Sequence, residues 1–199
     1  MRWDLLFDDL GAQLDREERE EERALALEEE RLRLSRLTLR DRLIALAEPG
    51  PDGRTQAVGL ELVGGERRYL RPTAFGRDWL AGELADAARG GAEGIVPLAA
   101  IAAVLPMRDR LLPSLEPVAE RATRLADRIG ITFVFRDLSR RRIAVRVSTL
   151  DGDFPGTLDR VARDHVDLAL HEPGVPRRDR EVQGYRIVPI ERIRLVAFG

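Results

Sequence analysis

The chain has 199 residues, 44% of them hydrophobic and 34% charged, and its formal net charge is −2. This length can bury a sizeable core, as one domain or as two small ones, and the small net charge excludes a protein-wide field attracting nucleic acid or acidic membranes. Cysteine is absent, which excludes disulfides, thiolate metal sites and a cysteine nucleophile. Because the N-terminus lacks the basic start and apolar run of a signal peptide, and no 18 apolar residues follow one another, we expect a soluble cytoplasmic protein with no membrane partner.

The charges are unevenly distributed along the chain. Residues 1–30 carry 12 acidic residues and 4 arginines, whereas residues 111–199 carry 16 arginines and 13 acidic residues. All 33 basic residues are arginine, which, with the abundant alanine, leucine and glycine, indicates a GC-rich bacterial genome. Anion-binding candidates are therefore expected in the C-terminal half.

Residues 4 to about 46 are predicted to be helical, and the alternation at 31–39 also suits an extended segment that would end the helix earlier. An apolar stripe contains Trp3, Phe7 and Leu10 at helical spacing, and a charged segment at 15–23 separates it from a second stripe. That second stripe repeats every seven residues, at Leu25, Leu32, Leu39 and Leu46. Two interpretations stay open: a solvated helix whose far end packs on the next domain through Leu37, Leu39 and Leu43, or a docking or dimerising arm, with coiled-coil character, that binds a protein partner through Trp3, Phe7 and Leu10.

Short strands are predicted after the breaker at residues 49–53, which is rich in proline and glycine. Alternating apolar residues indicate a first set of strands ending near Val104, with Pro97 implying an edge strand or a bulge. A helix is predicted from Ser114, as its N-terminal cap, to Gly130, as its stop. A second set of strands follows, and residues 156–170 form its most regular hairpin.

The two sets of strands are related by an internal repeat. Corresponding residues lie 86 positions apart in the central hairpin and 92 apart near the end, and the added residues fall in the loop EPGVPRRDREVQ. The repeated pairs include Phe75/Val161, Arg77/Arg163, Asp78/Asp164, Leu80/Val166, Leu84/Leu170 and Ile95/Ile187. We therefore predict three parts: a charged helical arm at 1–36, a first strand domain at 37–110, and a helix plus a second strand domain at 111–199.

Each repeat resembles the Sm-like (LSm-type) small β-barrel, a helix followed by about five short, bent strands. The resemblance rests on Gly156, Leu158, Val161, Asp164 and the closing segment Ile187–Ile193, with weaker counterparts at Leu70–Ile101. It implies an α+β, mainly β, fold of two tandem barrels, each preceded by a helix. It also implies RNA binding, or assembly into larger complexes by pairing of edge strands, so an oligomer is possible. In a tandem pair, an edge strand of one barrel can pair with an edge strand of the other within the same chain.

The segment from Trp3 to Leu10 also resembles an uncharacterised family of GC-rich bacteria, sometimes labelled Fis-type transcriptional regulators. A Fis-type DNA reader needs a C-terminal helix-turn-helix with a basic recognition helix. This chain ends in a strand pattern instead, so the label predicts no DNA reading here.

Catalytic motifs are absent from the sequence. No G-x-S-x-G, Walker loop, G-x-G-x-x-G or H-E-x-x-H segment occurs. The two histidines, His165 and His171, lie six residues apart on one strand, roughly 20 Å at about 3.3 Å per residue, which is too far to share a metal. We therefore expect no enzyme activity, no cofactor and no metal.

Arginine clusters are the best candidates for nucleic-acid contacts, because guanidinium groups bind phosphate with paired hydrogen bonds. The clusters are Arg140, Arg141 and Arg142, and the loop arginines Arg177, Arg178 and Arg180, with Trp79 and His165 as candidate stacking or turn contacts. The alternative is a solvated hairpin turn whose arginines pair with Asp137, Asp179 and Glu181, with Trp79 in the core. Two functions follow: a non-enzymatic Sm-like regulator that binds nucleic acid, RNA rather than DNA, or a protein-interaction adaptor that uses barrel edges and the N-terminal helix.

Overall fold

The computed structural model describes residues 2–50, 53–85, 91–116, 125–174 and 177–199, without the side chains of residues 2–10, 12, 15 and 126. The helices are α1 (Arg2–Arg36), α2 (Leu39–Leu46), α3 (Arg108–Leu111) and α4 (Ile131–Arg141). The strands of the first half are β1 (Val58–Leu62), β2 (Arg67–Phe75), β3 (Trp79–Leu84), β4 (Glu93–Pro97) and β5 (Ile101–Leu105). Those of the second half are β6 (Ala144–Thr149), β7 (Gly152–Val161), β8 (His165–Leu170), β9 (Gly184–Pro189) and β10 (Leu195–Phe198).

The N-terminal helix α1 belongs to a compact unit of its own, residues 1–39. Its described side chains are almost all exposed, including Leu25 and Leu32 of the heptad stripe. Such a helix is stabilised by neighbouring charges; Arg33, which donates to Glu30 at 2.6 Å, lowers the pKa of that carboxyl group. The structure therefore confirms a charged N-terminal helix.

The helical stretch predicted at 4–46 is broken within 31–39, the segment that also suited an extended chain. Helix α1 stops at Arg36, and α2 begins at Leu39 after two non-helical residues. Thr38 and Asp41 have the spacing of a capping box, which favours a new helix start at Leu39. The break therefore separates the arm from the body, residues 40–199, which is the second compact unit.

Within the described residues of the body, ten antiparallel strands form one open sheet, in the order β5-β1-β2-β3-β4-β10-β6-β7-β8-β9. The α+β class is confirmed, but the prediction of closed barrels is wrong. Each half has its own five strands in the same relative order, and β4 of the first half pairs with β10 of the second. The free edge of the first half is thus paired with the second half, and neither half closes on itself.

Strand register confirms the internal repeat. Leu70 lies opposite Leu84 in the first half, and Gly156 lies opposite Leu170 in the second, each 86 positions further on. Both central hairpins carry a register shift, between Pro72 and Ala74 and between Leu158 and Arg160, also 86 apart. A β-bulge bends a strand and increases its twist. The two halves are therefore duplicated down to the irregularities of their backbone.

Two cores lie on the sheet, and each draws residues from both halves. The core of the second half includes Trp79 and Ile95 from the first half, while the core of the first half includes Leu195 from β10. Phe135 of α4 is fully buried in the second core, and Leu43 of α2 is fully buried in the first. Removing such apolar surface from water supplies about 25 cal/mol per Å². The halves are therefore held together by shared burial as well as by strand pairing.

Both ends of the helix predicted from Ser114 to Gly130 are wrong. Residues 117–124 of that prediction lie outside the described residues, Ser114 is in a 3-10 turn, and α4 begins only at Ile131. Gly130 is extended, with φ −82° and ψ 158°, and serves as the N-terminal cap of α4. Gly130 therefore starts the helix that it was predicted to stop.

Pro97 does not mark an edge strand. Strand β4 lies inside the sheet, between β3 and β10, and Pro97 is its last residue, next to the 3-10 turn Leu98–Ala100. Proline has no N–H for the ladder, so it is tolerated where the chain leaves the sheet.

Candidate functional site

The turn between β2 and β3 holds the start of helix α4. The Arg77 backbone N–H donates to the Ile129 carbonyl at 3.0 Å, and the Trp79 indole Nε1–H donates to the same oxygen, also at 3.0 Å. The Asp78 carboxylate accepts the N–H of Ile131, the first residue of α4, at 2.8 Å. Backbone N–H groups at a helix start lack partners within the helix and favour negative charge. Residues 77–79, which we call the first turn, therefore form a receptor for a helix start.

Two glycines fit this receptor. A Cβ on Gly76 would lie 2.1 Å from Trp79 Nε1, and a Cβ on Gly130 would lie 2.7 Å from Arg77 Nη2. Trp79 is only 6% exposed, so it is a core residue whose ring face is covered, which leaves no surface for stacking a base.

Arg40, on α2, bridges Gly76, which precedes the first turn, and Asp127, which precedes the bound segment. Its Nε–H donates to the Gly76 carbonyl at 2.8 Å, and its second nitrogen donates to Asp127 at 2.5 Å. Asp127 lies just before the segment that the first turn holds. With Asp127 included, the segment held by the first turn thus consists of Asp127 and, after Arg128, the residues Ile129, Gly130 and Ile131.

The turn between β7 and β8, residues 163–165, is the counterpart of the first turn, and we call it the second turn. Ala162 N–H donates to the His165 carbonyl at 2.9 Å, just as Gly76 N–H donates to the Trp79 carbonyl at 2.8 Å. The Asp164 carbonyl accepts from Ile190 N–H at 2.8 Å. The Asp164 side chain is 83% exposed and bonds His165 Nδ1 at 2.8 Å. The second turn therefore has the backbone of a receptor but an open surface.

The outer edge of the second half is also uncovered. Ile95 on β4 is 2% exposed, whereas its counterpart Ile187 on β9 is 72% exposed and nearby Tyr185 is 62% exposed. Arg186, between them, places its guanidinium carbon 4.0 Å from the centre of the Phe154 ring, a cation–π contact. Strand β9 pairs with β8 over all six of its residues. It is an unusually regular edge strand carrying large apolar side chains.

The opposite edge of the sheet is less suited to pairing. Strand β5 loses its register with β1 between Glu61 and Leu62, and Pro106, which has no N–H, follows it directly. Bulges and prolines are common protections of edge strands. The two edges of the sheet are therefore unequal.

Arg140, Arg141 and Arg142 lie at the C-terminal end of α4, not in the predicted hairpin turn. Arg140 and Arg141 both pair with Asp137, at 3.0 and 2.8 Å, and both remain mostly exposed. Arg142 closes the helix in a left-handed conformation, with φ 51°. Cations at a helix C-terminus are favoured by its dipole. The three arginines thus form an exposed cluster with one shared carboxylate.

The loop arginines do not act as one group. Arg177 holds Asp159 through two hydrogen bonds, at 2.9 and 2.6 Å, and Asp179 through a third at 2.6 Å. The hydrogen bonds to Asp159 and then to Asp179 raise the pKa of Arg177 above its ordinary value. Arg180 pairs with Glu181 at 3.0 Å, and Arg178 is exposed. Arg177 therefore joins its loop to Asp159 of β7, and its guanidinium is already hydrogen-bonded to two carboxylates.

His165 and His171 lie in different surroundings. His171 is buried, its Nδ1 hydrogen bonds the Glu172 carbonyl at 3.1 Å, and its Nε2 lies 2.8 Å from the hydroxyl oxygen of Thr157. It borders a surface cavity of about 240 Å³ between β7 and the C-terminal strand. In the part of the chain that the structure describes, no three side chains are grouped to bind a metal.

The candidate anchor residues Trp3, Phe7 and Leu10 belong to α1, but their side chains lie outside the description. The receptor role of the first turn is not predicted from the sequence. The available signal is the dipeptide Arg-Asp, which recurs at 77–78 and 163–164.

Comparison with protein-family models, with curated proteins and with solved structures found no match to this chain. Across the described residues, none of the helices combines the length and the apolar character that crossing a membrane requires.

Proposed function

We propose that this protein is a non-enzymatic interaction adaptor, built from two tandem Sm-like units, that captures partner chains at the outer edge of its second unit. The observation that carries the proposal is the difference between equivalent surfaces. Strand β4 pairs with the second half and the first turn holds the start of α4, whereas Ile187 of β9 and Asp164 of the second turn are exposed.

Several features support the Sm-like interpretation. Each half has a helix followed by five short strands with a bulged central hairpin. The halves also join by antiparallel pairing of their edges, with Val196 opposite Ile95. Assembly through edge strands is what the resemblance implies, and it is a recognised mode of peptide capture.

Strand β9 is the edge on which the adaptor function depends. The strand is in regular register with β8, so every second one of its residues offers its backbone N–H and C=O to an incoming strand, and Tyr185 and Ile187 offer apolar contacts. The edge of β5 serves as the internal comparison, because it is bulged.

The test compares the full chain with two edge variants. Tyr185→Lys with Ile187→Lys places charges on β9, and Ala103→Lys places one on β5. Exposed substitutions change stability by about 0.5 kcal/mol or less, so the variants should fold. We expect affinity purification to lose specific partners, or light scattering to show loss of self-association, only for the β9 variant. Identical partners and masses for all three proteins would refute the adaptor function.

Nucleic-acid binding is a second candidate, favoured by the exposed cluster Arg140, Arg141 and Arg142. The single carboxylate of Asp137 leaves this cluster with a net positive charge, which suits a phosphate backbone and predicts binding that weakens as salt increases. RNA is the expected ligand because of the Sm-like resemblance.

Filter binding at low salt against single- and double-stranded RNA and DNA tests this candidate. We expect the triple alanine variant of the cluster to bind more weakly than the wild type, while Arg178→Ala changes binding little. Retention no greater than the filter background for the wild type would eliminate the candidate.

A further inference from the structure

The molecule contains two equivalent turns, one occupied and one open. We propose that the second turn, Arg163, Asp164 and His165, is a docking site for a partner protein segment that begins a helix. The occupant has the chemistry of the segment held by the first turn, residues 127–131: an acidic residue, one intervening residue, then apolar, glycine and apolar residues. This inference deepens the proposed adaptor function, on which it rests, by naming the partner's chemistry.

Backbone geometry is the first argument. Matching hydrogen bonds close both turns, from Gly76 to Trp79 and from Ala162 to His165, and both pair their aspartate carbonyl with the chain after β4 or β9. In the first turn, the Arg77 N–H donates a hydrogen bond to the Ile129 carbonyl. Among the residues that the structure describes, the matching N–H of Arg163 has no acceptor. The second turn thus presents the same donor without the occupant.

The aspartate is the second argument. Asp78 accepts the N–H of the first helical residue, and Asp164 is the equivalent carboxylate, with one oxygen on His165 Nδ1 and its side chain mostly in solvent. A carboxylate has about four acceptor positions, so Asp164 can keep its histidine and still accept a helix N–H.

The surface around the second turn supports a reversible occupant. In the first half, Ala74 and Ala81 pack against the shared core. Their counterparts 86 positions further on, in the second half, are Arg160 and Asp167, which form an ion pair at 3.8 Å. Ile187 keeps the apolar character of Ile95. An exposed site has to stay compatible with water when it is empty, and these charged replacements make it so.

A cation also lies beside the second turn. On the first turn, Arg40 reaches both the Gly76 carbonyl and Asp127. On the second, the exposed Arg136 of α4 reaches the Val161 carbonyl at 3.5 Å. Val161 is one residue before Ala162, the counterpart of Gly76, so Arg136 places a positive charge near the position that Arg40 has on the first turn.

Trp79 in the first turn corresponds to His165 in the second, and this difference allows a variant with higher affinity for the partner segment to be designed. Trp79 lies so close to Gly76 that a Cβ would be 2.1 Å from its Nε1. In the second turn these positions are Ala162 and His165. Ala162→Gly together with His165→Trp recreates the first turn, including an indole N–H for the partner's carbonyl.

The probe is a fluorescein-labelled, amidated peptide with the sequence of residues 125–133, LADRIGITF. It is titrated by fluorescence polarisation with the full-length protein. The first turn is closed to it, because its own segment is tethered at an effective concentration in the millimolar range or above. We expect saturable binding that Asp164→Ala weakens about ten-fold or more, as for a lost hydrogen bond to a charged group. The Ala162→Gly/His165→Trp variant should bind about two- to ten-fold more tightly.

Two controls make the test specific. Asp153→Ala removes an exposed carboxylate at the other end of β7 and should leave binding unchanged. A peptide with proline in place of Ile131 cannot donate the N–H that the aspartate accepts, although proline suits the first helical position. This peptide should bind the wild type as weakly as the normal peptide binds Asp164→Ala, and combining both changes should add no further loss.

Absence of saturable binding to the wild type would overturn the inference, and so would binding that Asp164→Ala does not weaken. If self-association of the full chain is lost with Asp164→Ala while the peptide fails to bind, the occupant is a second copy and the inference is overturned. The adaptor function fails on a different result, the indifference of partners to charges on β9.

Discussion

Replacing Trp79 with alanine should strongly destabilise the body, whereas the same change at its repeat counterpart His165 should not. Trp79 is 6% exposed and packs on the core that both halves share. A buried tryptophan removes about 150–250 Å² from water, or about 4–6 kcal/mol at 25 cal/mol per Å² as an upper bound. Truncation of a buried tryptophan typically costs about 3–5 kcal/mol.

The side chain of His165 is 43% exposed, and its recorded partner is the adjacent Asp164. Exposed substitutions of this kind change stability by about 0.5 kcal/mol or less. For a chain of this length, about 3–5 kcal/mol corresponds to a melting temperature lower by about 6–20 °C. The two variants thus compare one repeat position in its covered and uncovered forms.

Urea and thermal unfolding followed by circular dichroism measure both variants, because this signal does not depend on the tryptophan removed. Trp79→Phe serves as an intermediate. It keeps most of the ring but loses the hydrogen bond to Ile129, whose carbonyl retains the Arg77 N–H at 3.0 Å, so a loss of about 0.5–1.5 kcal/mol is expected. If Trp79→Ala lowers the free energy of unfolding no more than His165→Ala does, the burial of Trp79 in the shared core is refuted.

Three further changes follow from local geometry. Gly156→Ala should destabilise the protein by about 1–3 kcal/mol, because the new Cβ would lie 2.2 Å from the Ala169 carbonyl oxygen. Arg142→Gly should stabilise it, by up to about 1 kcal/mol, because position 142 has φ 51°. Arg177→Ala should lower the urea midpoint, because it leaves the half-buried Asp159 without its paired hydrogen bonds.

Each of these changes has a matched comparison in the same chain. Gly184→Ala meets no atom within 4 Å and should change stability far less than Gly156→Ala. Arg141→Gly introduces glycine at the last residue of helix α4, where it should destabilise by up to about 1 kcal/mol, opposite in sign to Arg142→Gly. Arg178→Ala, at an exposed neighbour of Arg177, should leave the urea midpoint where it is. Equal shifts within any of these pairs would contradict the geometry on which its prediction rests.

The sequence predicted much of the strand arrangement because that information is local. Alternating apolar residues and the turns at 76–78 and 163–164 located the two central hairpins, and offsets of 86 and 92 predicted the repeat that the registers confirm. The candidate sites were predicted less well. Composition identified Trp79 and the arginines, but their burial and partners depend on residues distant in sequence.

Gly130, predicted to stop a helix but found at the start of α4, shows why local patterns are insufficient. The apolar spacing before Gly130 suited a helix, and glycine is a common helix stop. Gly130 instead lies against Arg77 and Asp78, more than 50 positions earlier, where a carboxylate accepts the first helical N–H. No local pattern contains that aspartate.

The sequence by itself determined that the body is duplicated, where its strands alternate and where its hairpins turn, because these depend on neighbours along the chain. Only the tertiary structure decided that the halves join into one open sheet and that one Arg-Asp turn holds a helix start while its copy is open. The physical reason is position in the array: the first half has the second beside it, and in the described part of the chain no strand pairs with the outer side of β9. Two turns with the same backbone hydrogen bond therefore differ in what they hold.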